Sequence, residues 1–163
     1  MSTVLTVLGV IAGAVVLVPA LALVVLLIGF RTQNARILGT MRRFNRAVTN
    51  RAQRAAGTEG NPTGLLHHRG RTSGREYVTP IGPSPEAGGF VVALPYGPGT
   101  DWLRNLQAAG SGVLEFDGRT YRVDHPEVVP IGETVLAERE ARTIRAFNLE
   151  HALRLRATEQ AGP

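Results

Sequence analysis

The stretch GRTSGREYVTP, residues 70–80, combines residue types that could hold an anion. Two glycines let backbone N–H groups come close to a ligand, and a Thr-Ser pair between them adds hydroxyl donors. Two arginines add planar, charged forks that match phosphate oxygens. The residues concerned are Gly70, Arg71, Thr72, Ser73, Gly74 and Arg75. A solvated hairpin between two strands has the same composition, so the sequence leaves two interpretations, a phosphate site or a polar turn.

Other side chains that could do chemistry are few. The four histidines have no metal-ligand spacing with nearby carboxylates, and His67 and His68 alternate faces of a predicted strand, so that one of them packs inside. The chain contains neither cysteine nor lysine, which excludes disulfides, thiolate chemistry and a Walker A lysine. Tyr96 remains as a candidate proton donor, and packing is the alternative role for it.

The elements that would position these residues are mostly short strands. Apolar and β-branched runs predict strands at 65–69, 76–81, 90–94, 112–116, 119–123 and about 127–131. Asp117-Gly118 is the strongest hairpin signal in the chain. Gly- and Pro-rich residues 82–89 predict a loop that closes another hairpin.

Two helices are predicted around the strands. Trp102, Leu103 and Leu106 have helical spacing within 100–110, and Gly110 is a typical C-cap. A longer helix is predicted from Glu133 to about Thr158. Short strands, one inserted helix and a terminal helix favour an α+β, mainly β fold built on a small β-barrel.

The N-terminal segment has the composition of a membrane anchor. No charged side chain occurs between residues 4 and 30, enough for a helix of about 40 Å. A cleaved signal peptide is the alternative, but no basic residue precedes the apolar run. Seven arginines lie between residues 31 and 54. Because such an excess marks the cytoplasmic side, we expect a single-pass protein of the cell membrane with its N-terminus outside and its remainder in the cytoplasm.

The segment after the anchor explains the net charge of +5. Without these seven arginines, the rest of the chain has 11 basic and 13 acidic side chains. The basic charge is therefore concentrated beside the apolar segment, and membrane lipids rather than nucleic acid are the expected partner. Its apolar residues repeat at helical spacing and favour either packing on the soluble domain or lying on the membrane. The small residues Gly9 and Gly13 have the spacing that allows two membrane helices to approach closely, so a homodimer is an open alternative. The expected domains are an anchor (1–30), a basic amphipathic helix and linker (31–58), the barrel (59–132), and a C-terminal helix and tail (133–163).

Three motifs in order resemble a known family. GRTSGREYVTP is followed by DWLRNL and then by GRTYRV, and this order is similar to that of the deazaflavin-dependent nitroreductases and quinone reductases of actinobacteria and their relatives. The resemblance covers about residues 63–130. It implies a split β-barrel of the FMN-binding type that binds coenzyme F420, an 8-hydroxy-5-deazaflavin with a phospholactyl-glutamate tail.

Matched position by position, the resemblance implies which side chains hold the cofactor. The turn would hold the phosphate and acidic tail, the next strand would lie beside the deazaflavin ring, and the helix would border the pocket. The implied residues are Arg71, Thr72, Ser73 and Gly74 in the turn, Val78, Thr79 and Pro80 in the strand, and Trp102 and Asn105 in the helix. Many members carry lysine at the position of Thr72, and Arg75 or Arg104 can restore that charge.

The resemblance implies an oxidoreductase that transfers hydride from reduced F420 to a quinone, a nitro compound or an activated enone. A membrane anchor favours a lipid-soluble acceptor such as menaquinone. FMN or another flavin in the same fold is the first alternative. A non-catalytic, basic membrane-surface protein that binds anionic lipid or nucleic acid is the second.

Overall fold

The computed structural model describes residues 55–160 continuously, together with residues 15, 17, 19–25, 28, 29 and 32. The continuous part contains the strands β1 (Gly64–Arg69), β2 (Glu76–Ile81), β3 (Pro83–Glu86), β4 (Gly89–Ala93), β5 (Ser111–Phe116), β6 (Arg119–Pro130) and β7 (His151–Glu159). Its α-helices are α1 (Asp101–Ala109), α2 (Leu136–Arg139) and α3 (Ala141–Phe147), and a 3-10 helix, Ile131–Glu133, precedes α2.

The seven strands form one antiparallel sheet, which confirms that the fold is mainly β. Their order is β2-β1-β5-β6-β7-β4-β3. The two edge strands, β2 and β3, are consecutive in the chain and are separated by Gly82 alone. Because one residue cannot bridge the width of a flat sheet, the sheet curls until its two edges meet at this corner. The Pro83 ring lies against Gly64, where an added Cβ would be only 3.2 Å from it. The result is a curled half-barrel.

The main core lies on the inner face of the sheet, defined here as the face that carries Leu66 and Leu114. Strand side chains on this face interdigitate with two leucines of α1, Leu103 and Leu106, which are fully buried. The cluster comprises Leu66, Ile81, Phe90, Val92, Leu94, Leu103, Leu106, Leu114, Val123, Leu153 and Leu155. Burying a leucine in this way contributes about 1.5–3 kcal/mol. Helix α1 is therefore held on β1 and β5, next to the turn that follows β1.

A second cluster covers the opposite, outer face, but only on β4, β6 and β7. Val91, Val129 and Ala152 pack there against Leu136 of α2 and against Ile131. Since alternate residues of a strand face opposite sides, β4 needs apolar residues at every position. This requirement explains the uninterrupted run from Phe90 to Ala93.

Several local predictions are confirmed. The strand expected at 76–81 has those bounds, and α1 is capped by Gly110, which has a φ of 71° and donates its N–H to the Leu106 carbonyl. Asp117 and Gly118 both have positive φ, as a two-residue hairpin turn between β5 and β6 requires. The strands predicted at 119–123 and 127–131 are one strand, β6, with an irregularity between Asp124 and Glu127.

The C-terminal helix predicted for 133–158 is wrong. Residues 136–147 contain only the two short helices α2 and α3, and α3 is capped by Asn148 in the left-handed conformation. The chain then forms β7, which pairs with β6 on one side and β4 on the other. Leu153 and Leu155 point to the inner core while Arg154 and Arg156 point outward, which is the alternation of a strand. Strand β7 of the sheet therefore lies beyond residue 132, within the segment that was expected to hold only a C-terminal helix and tail.

The loop predicted for 82–89 is also corrected. Pro83–Glu86 forms edge strand β3, and the hairpin to β4 turns at Ala87 and Gly88. Pro83 and Pro85 occupy alternate positions, so both missing N–H groups fall on one side of the strand. An edge strand tolerates this because its outer side is unpaired.

Most residues of the expected anchor (1–30) and of the expected basic helix and linker (31–58) lie outside the described residues. No helix within the described part is long and apolar enough to cross a membrane. Residues 19–25 are helical, and residues 55–57 form a turn.

Candidate functional site

The turn between β1 and β2, residues 70–75, is closed by its own backbone. The Gly70 N–H donates to the Arg75 carbonyl at 2.8 Å, and the Gly74 N–H donates to the Gly70 carbonyl at 2.9 Å. Gly74 has a φ of 65°, which favours glycine. A Cβ at Gly70 would lie 2.6 Å from Ser73 Oγ and 2.8 Å from Tyr77 Cε2, so a larger residue there would displace these two side chains. The two glycines make the turn tight.

Arg71 connects the turn to helix α1 through hydrogen bonds and an ion pair. Its backbone N–H and its Nη1 both donate to the side-chain oxygen of Asn105, at 3.2 and 2.8 Å. Its Nη2 lies 3.1 Å from an oxygen of Asp101, in an ion pair whose carboxylate is largely exposed. Asn105 itself is 8% exposed. The structure thus joins two of the predicted site residues, Arg71 and Asn105, which are far apart in the sequence.

Several donors of the turn remain free within the described part of the chain. The N–H groups of Thr72 and Ser73 have no partner there, and neither does the Thr72 hydroxyl. The Arg75 guanidinium contacts no described carboxylate, whereas the charge of Arg71 is offset by Asp101. Arg75, the two N–H groups and the Thr72 hydroxyl are therefore the donors available to an anion.

Three side chains of β1 and β2 form a polar group behind the turn. His68 is 6% exposed, and its Nε2 lies 2.9 Å from Thr79 Oγ1. The His68 ring stacks on Tyr77 with a centroid distance of 5.8 Å and an interplanar angle of 18°. The Tyr77 hydroxyl lies 3.4 Å from Ser73 Oγ in the turn. Burial, followed by the neighbouring charge of His67, lowers the pKa of His68, so this imidazole is neutral at neutral pH.

Strand alternation separates the three residues that were expected beside the ring. Thr79 pairs with Leu66 and shares the inner face with α1, whereas Val78 and Pro80 pair with His67 and Leu65 on the outer face. One flat ring therefore cannot lie along all three side chains.

The outer face of β1 also carries His67. Its Nε2 is 2.8 Å from Glu115 Oε1, at ion-pair distance but without the alignment of a hydrogen bond. This pair lies on the opposite side of the sheet from His68, so strand alternation keeps the two adjacent histidines out of one site.

Two other predicted site residues lie on α1 or in the connection that precedes it. Trp102 is partly buried on α1 and packs against the inner core. Tyr96 is partly buried in the connection between β4 and α1, and its role as proton donor remains a prediction. Within residues 55–160 no three His, Asp or Glu side chains lie close enough together to hold a metal ion. Sequence reasoning did not assign Tyr77 to the site; its position opposite His68 follows from strand register, which the sequence leaves open.

The chain matches no protein-family model and no curated protein. A protein of unknown function from Agrobacterium tumefaciens is similar in structure, with 18% identity and a TM-score of 0.36 over 61% of this chain and 51% of that one. The chain thus spans about half the length of the Agrobacterium protein. The heme storage protein HutZ from Vibrio cholerae is similar at 15% identity and a TM-score of 0.40, over 63% of this chain and 84% of that one. These likenesses are too distant to assign a function to the chain.

Proposed function

We propose that the protein is a membrane-anchored oxidoreductase that uses reduced coenzyme F420, with a split β-barrel of the deazaflavin-dependent nitroreductase and quinone reductase type. The observation that carries the proposal is the turn 70–75. Within the described chain several of its donors and one of its arginines, Arg75, have no partner, and it is held in place by the bonds of Arg71 to Asn105. A rigid, donor-rich turn of this kind suits a phosphate group.

Different residues of the turn would have different roles in cofactor binding. The N–H groups of Thr72 and Ser73, the Thr72 hydroxyl and the Arg75 guanidinium would hold the phosphate. Arg71 would act mainly as an anchor, because two of its nitrogens already contact α1. Arg104, exposed on α1, is a further cation for the acidic tail of the cofactor.

The inner side of β2 and helix α1 would hold the ring. Thr79 supplies a hydroxyl there and Trp102 an aromatic wall. When bound, reduced F420 would supply the hydride for a quinone, a nitro compound or an activated enone, with Tyr96 as the candidate proton donor. An anchored enzyme favours a lipid-soluble acceptor such as menaquinone.

Titration of the full chain with F420, followed by cofactor fluorescence, tests the proposal. We expect a saturable change, because fixed donors around the phosphate reduce the cost of ordering on binding. FMN is titrated in parallel under the same conditions. Binding of FMN without F420 would support the flavin alternative. If neither cofactor binds, and affinity for anionic vesicles or DNA falls steeply with salt, the protein is a non-catalytic surface binder.

We further propose that the apolar segment 4–30 anchors the chain with its N-terminus outside. Large apolar side chains in the described part of this segment are exposed, among them Val15, Leu17 and Leu21 at 67%, 69% and 66%. Such side chains need an apolar environment.

A reporter fused after Pro163 is expected to be active in the cytoplasm only, because the arginines that follow the segment stay on the cytoplasmic side. A second fusion, placed before residue 4, serves as the control and should report the opposite side. Activity of the C-terminal fusion outside the membrane contradicts both the orientation and the use of a cytoplasmic cofactor.

A further inference from the structure

We infer that His68 is a positioning residue of the cofactor site, which orients the Thr79 hydroxyl so that its proton is free to donate to a bound ligand. The identity of the ligand rests on the proposed function, whereas the orientation of Thr79 rests on the geometry of β1 and β2 alone.

Within the described chain, the imidazole of His68 has one hydrogen-bond partner and one nitrogen without a partner. Its Nε2 lies 2.9 Å from Thr79 Oγ1. Its Nδ1 is buried and has no hydrogen-bond partner within the described chain. His68 is 6% exposed, so water cannot readily compensate for a missing partner.

This arrangement selects one tautomer. A neutral imidazole carries its proton on one nitrogen, and the other nitrogen accepts. A proton on Nδ1 would leave a buried N–H without an acceptor, which native proteins avoid more strictly than an unpaired acceptor. A proton on Nε2 is used in the bond to Thr79. We therefore assign the Nε2–H tautomer, in which His68 donates and Thr79 Oγ1 accepts.

The assignment determines what Thr79 can do. Its oxygen receives the His68 proton, and its own O–H has no acceptor within the described chain. Because Thr79 is only partly buried on edge strand β2, this O–H is available to a ligand on the inner face. The ligand group that this O–H would contact is an acceptor, such as a ring carbonyl of the deazaflavin. Thr79 thus offers a directed donor to the carbonyl edge of a heterocycle.

Tyr77 restricts the His68 ring by stacking on it. The near-parallel stack leaves the imidazole little freedom to rotate. Tyr77 also reaches Ser73, so the same group of side chains borders the turn proposed to hold the phosphate. His68 therefore links the ring position to the turn without touching the ligand.

A double-mutant cycle on F420 affinity tests the inference in the full chain. Thr79→Val should weaken binding about 2- to 10-fold, the effect of one neutral hydrogen bond. His68→Phe, which retains an aromatic ring against Tyr77, should cause a similar loss, because the Thr79 hydroxyl then loses its orientation. We expect the double variant to bind no more weakly than Thr79→Val alone, and His68→Gln, which retains a donor, to bind nearly normally. Multiplicative losses in the double variant, or an equal loss in His68→Gln, would overturn the inference.

A second measurement needs no ligand. Long-range proton–nitrogen NMR of the histidine-labelled full chain should show the proton of His68 on Nε2, and a proton on Nδ1 overturns the inference. If the unaltered chain binds no F420, the proposed function fails by itself. The tautomer then still decides whether His68 orients Thr79, so the two failures are distinguishable.

Discussion

Replacing Arg75 with alanine is expected to weaken F420 binding roughly 10- to 150-fold. This is the effect of losing one charge-assisted contact to phosphate, about 1.5–3 kcal/mol. Arg75 is exposed and contacts no carboxylate in the described part of the chain, so its full charge is available to a ligand. For the same reason the free energy of unfolding should change little. Fluorescence titration and urea unfolding of the same variant measure the two effects.

Arg71→Ala tests whether Arg71 anchors the turn to α1, in contrast to Arg75, which is expected to contact the ligand. It should also weaken binding, but it removes the bonds to Asn105 and Asp101 as well and should therefore lower stability. Arg71→Lys should restore only part of the binding, because an ammonium cannot reach both partners as a planar fork does.

Arg142→Ala is the matched control for Arg75→Ala. It removes the same charge from an exposed position on α3, whose Ile144 and Phe147 pack on the outer face of the sheet. Arg119 is less suitable, because it pairs with Glu159 at 3.2 Å. If Arg142→Ala weakens binding as much as Arg75→Ala does, only net charge matters and the turn is not a phosphate site.

Gly89→Ala is expected to destabilise the fold by about 3 kcal/mol, at the upper end for overpacking. A Cβ at Gly89 would overlap the Leu155 carbonyl oxygen, and the backbone of Arg156 and Ala157 lies at 3.0 and 2.9 Å. These are backbone atoms of the paired strand β7, so no side-chain rotation can relieve the overlap. Urea unfolding should show a lower midpoint with an unchanged slope.

Gly88→Ala is the control for that substitution. Gly88 has a φ of 80° but nothing within 4 Å of an added Cβ, so alanine there costs only backbone strain, about 1–2 kcal/mol. The order of the two losses therefore tests the pairing of β4 with β7. A larger loss at Gly88 than at Gly89 would mean that β7 does not lie beside β4.

Local signals in the sequence were sufficient to predict a hairpin turn, a helix end and the bounds of one strand. Asp117-Gly118 forms a tight hairpin because both residues accept positive φ, and Gly110 ends α1 for the same reason. The bounds of β2 also follow from its composition. In each case the physical cause acts within a few residues, so no distant contact is needed to predict the result.

The C-terminal region shows where local signals are not enough. Apolar and charged side chains alternate over residues 153–156, as they do in a strand. The apolar residues from Ile144 to Leu155 also have the spacing of a helix, so the same stretch fits both. The sheet decides between the two, because β4 and β6 both have an open side that β7 fills. Unpaired backbone groups in a buried sheet cost more than the modest preference of these residues for a helix.

The residues of the turn could be named from the sequence, but their roles could not. The composition of residues 70–75 alone suggested anion-binding donors. Only the folded chain brings Asn105 to Arg71, so that Arg71 is bonded to α1 while Arg75 has no partner in the described part of the chain. Only the register of β1 and β2 puts Thr79 beside buried His68 and sends Val78 to the opposite face. Residue type determines which bonds a side chain can make, but which of them remain available depends on neighbours that only the tertiary structure supplies.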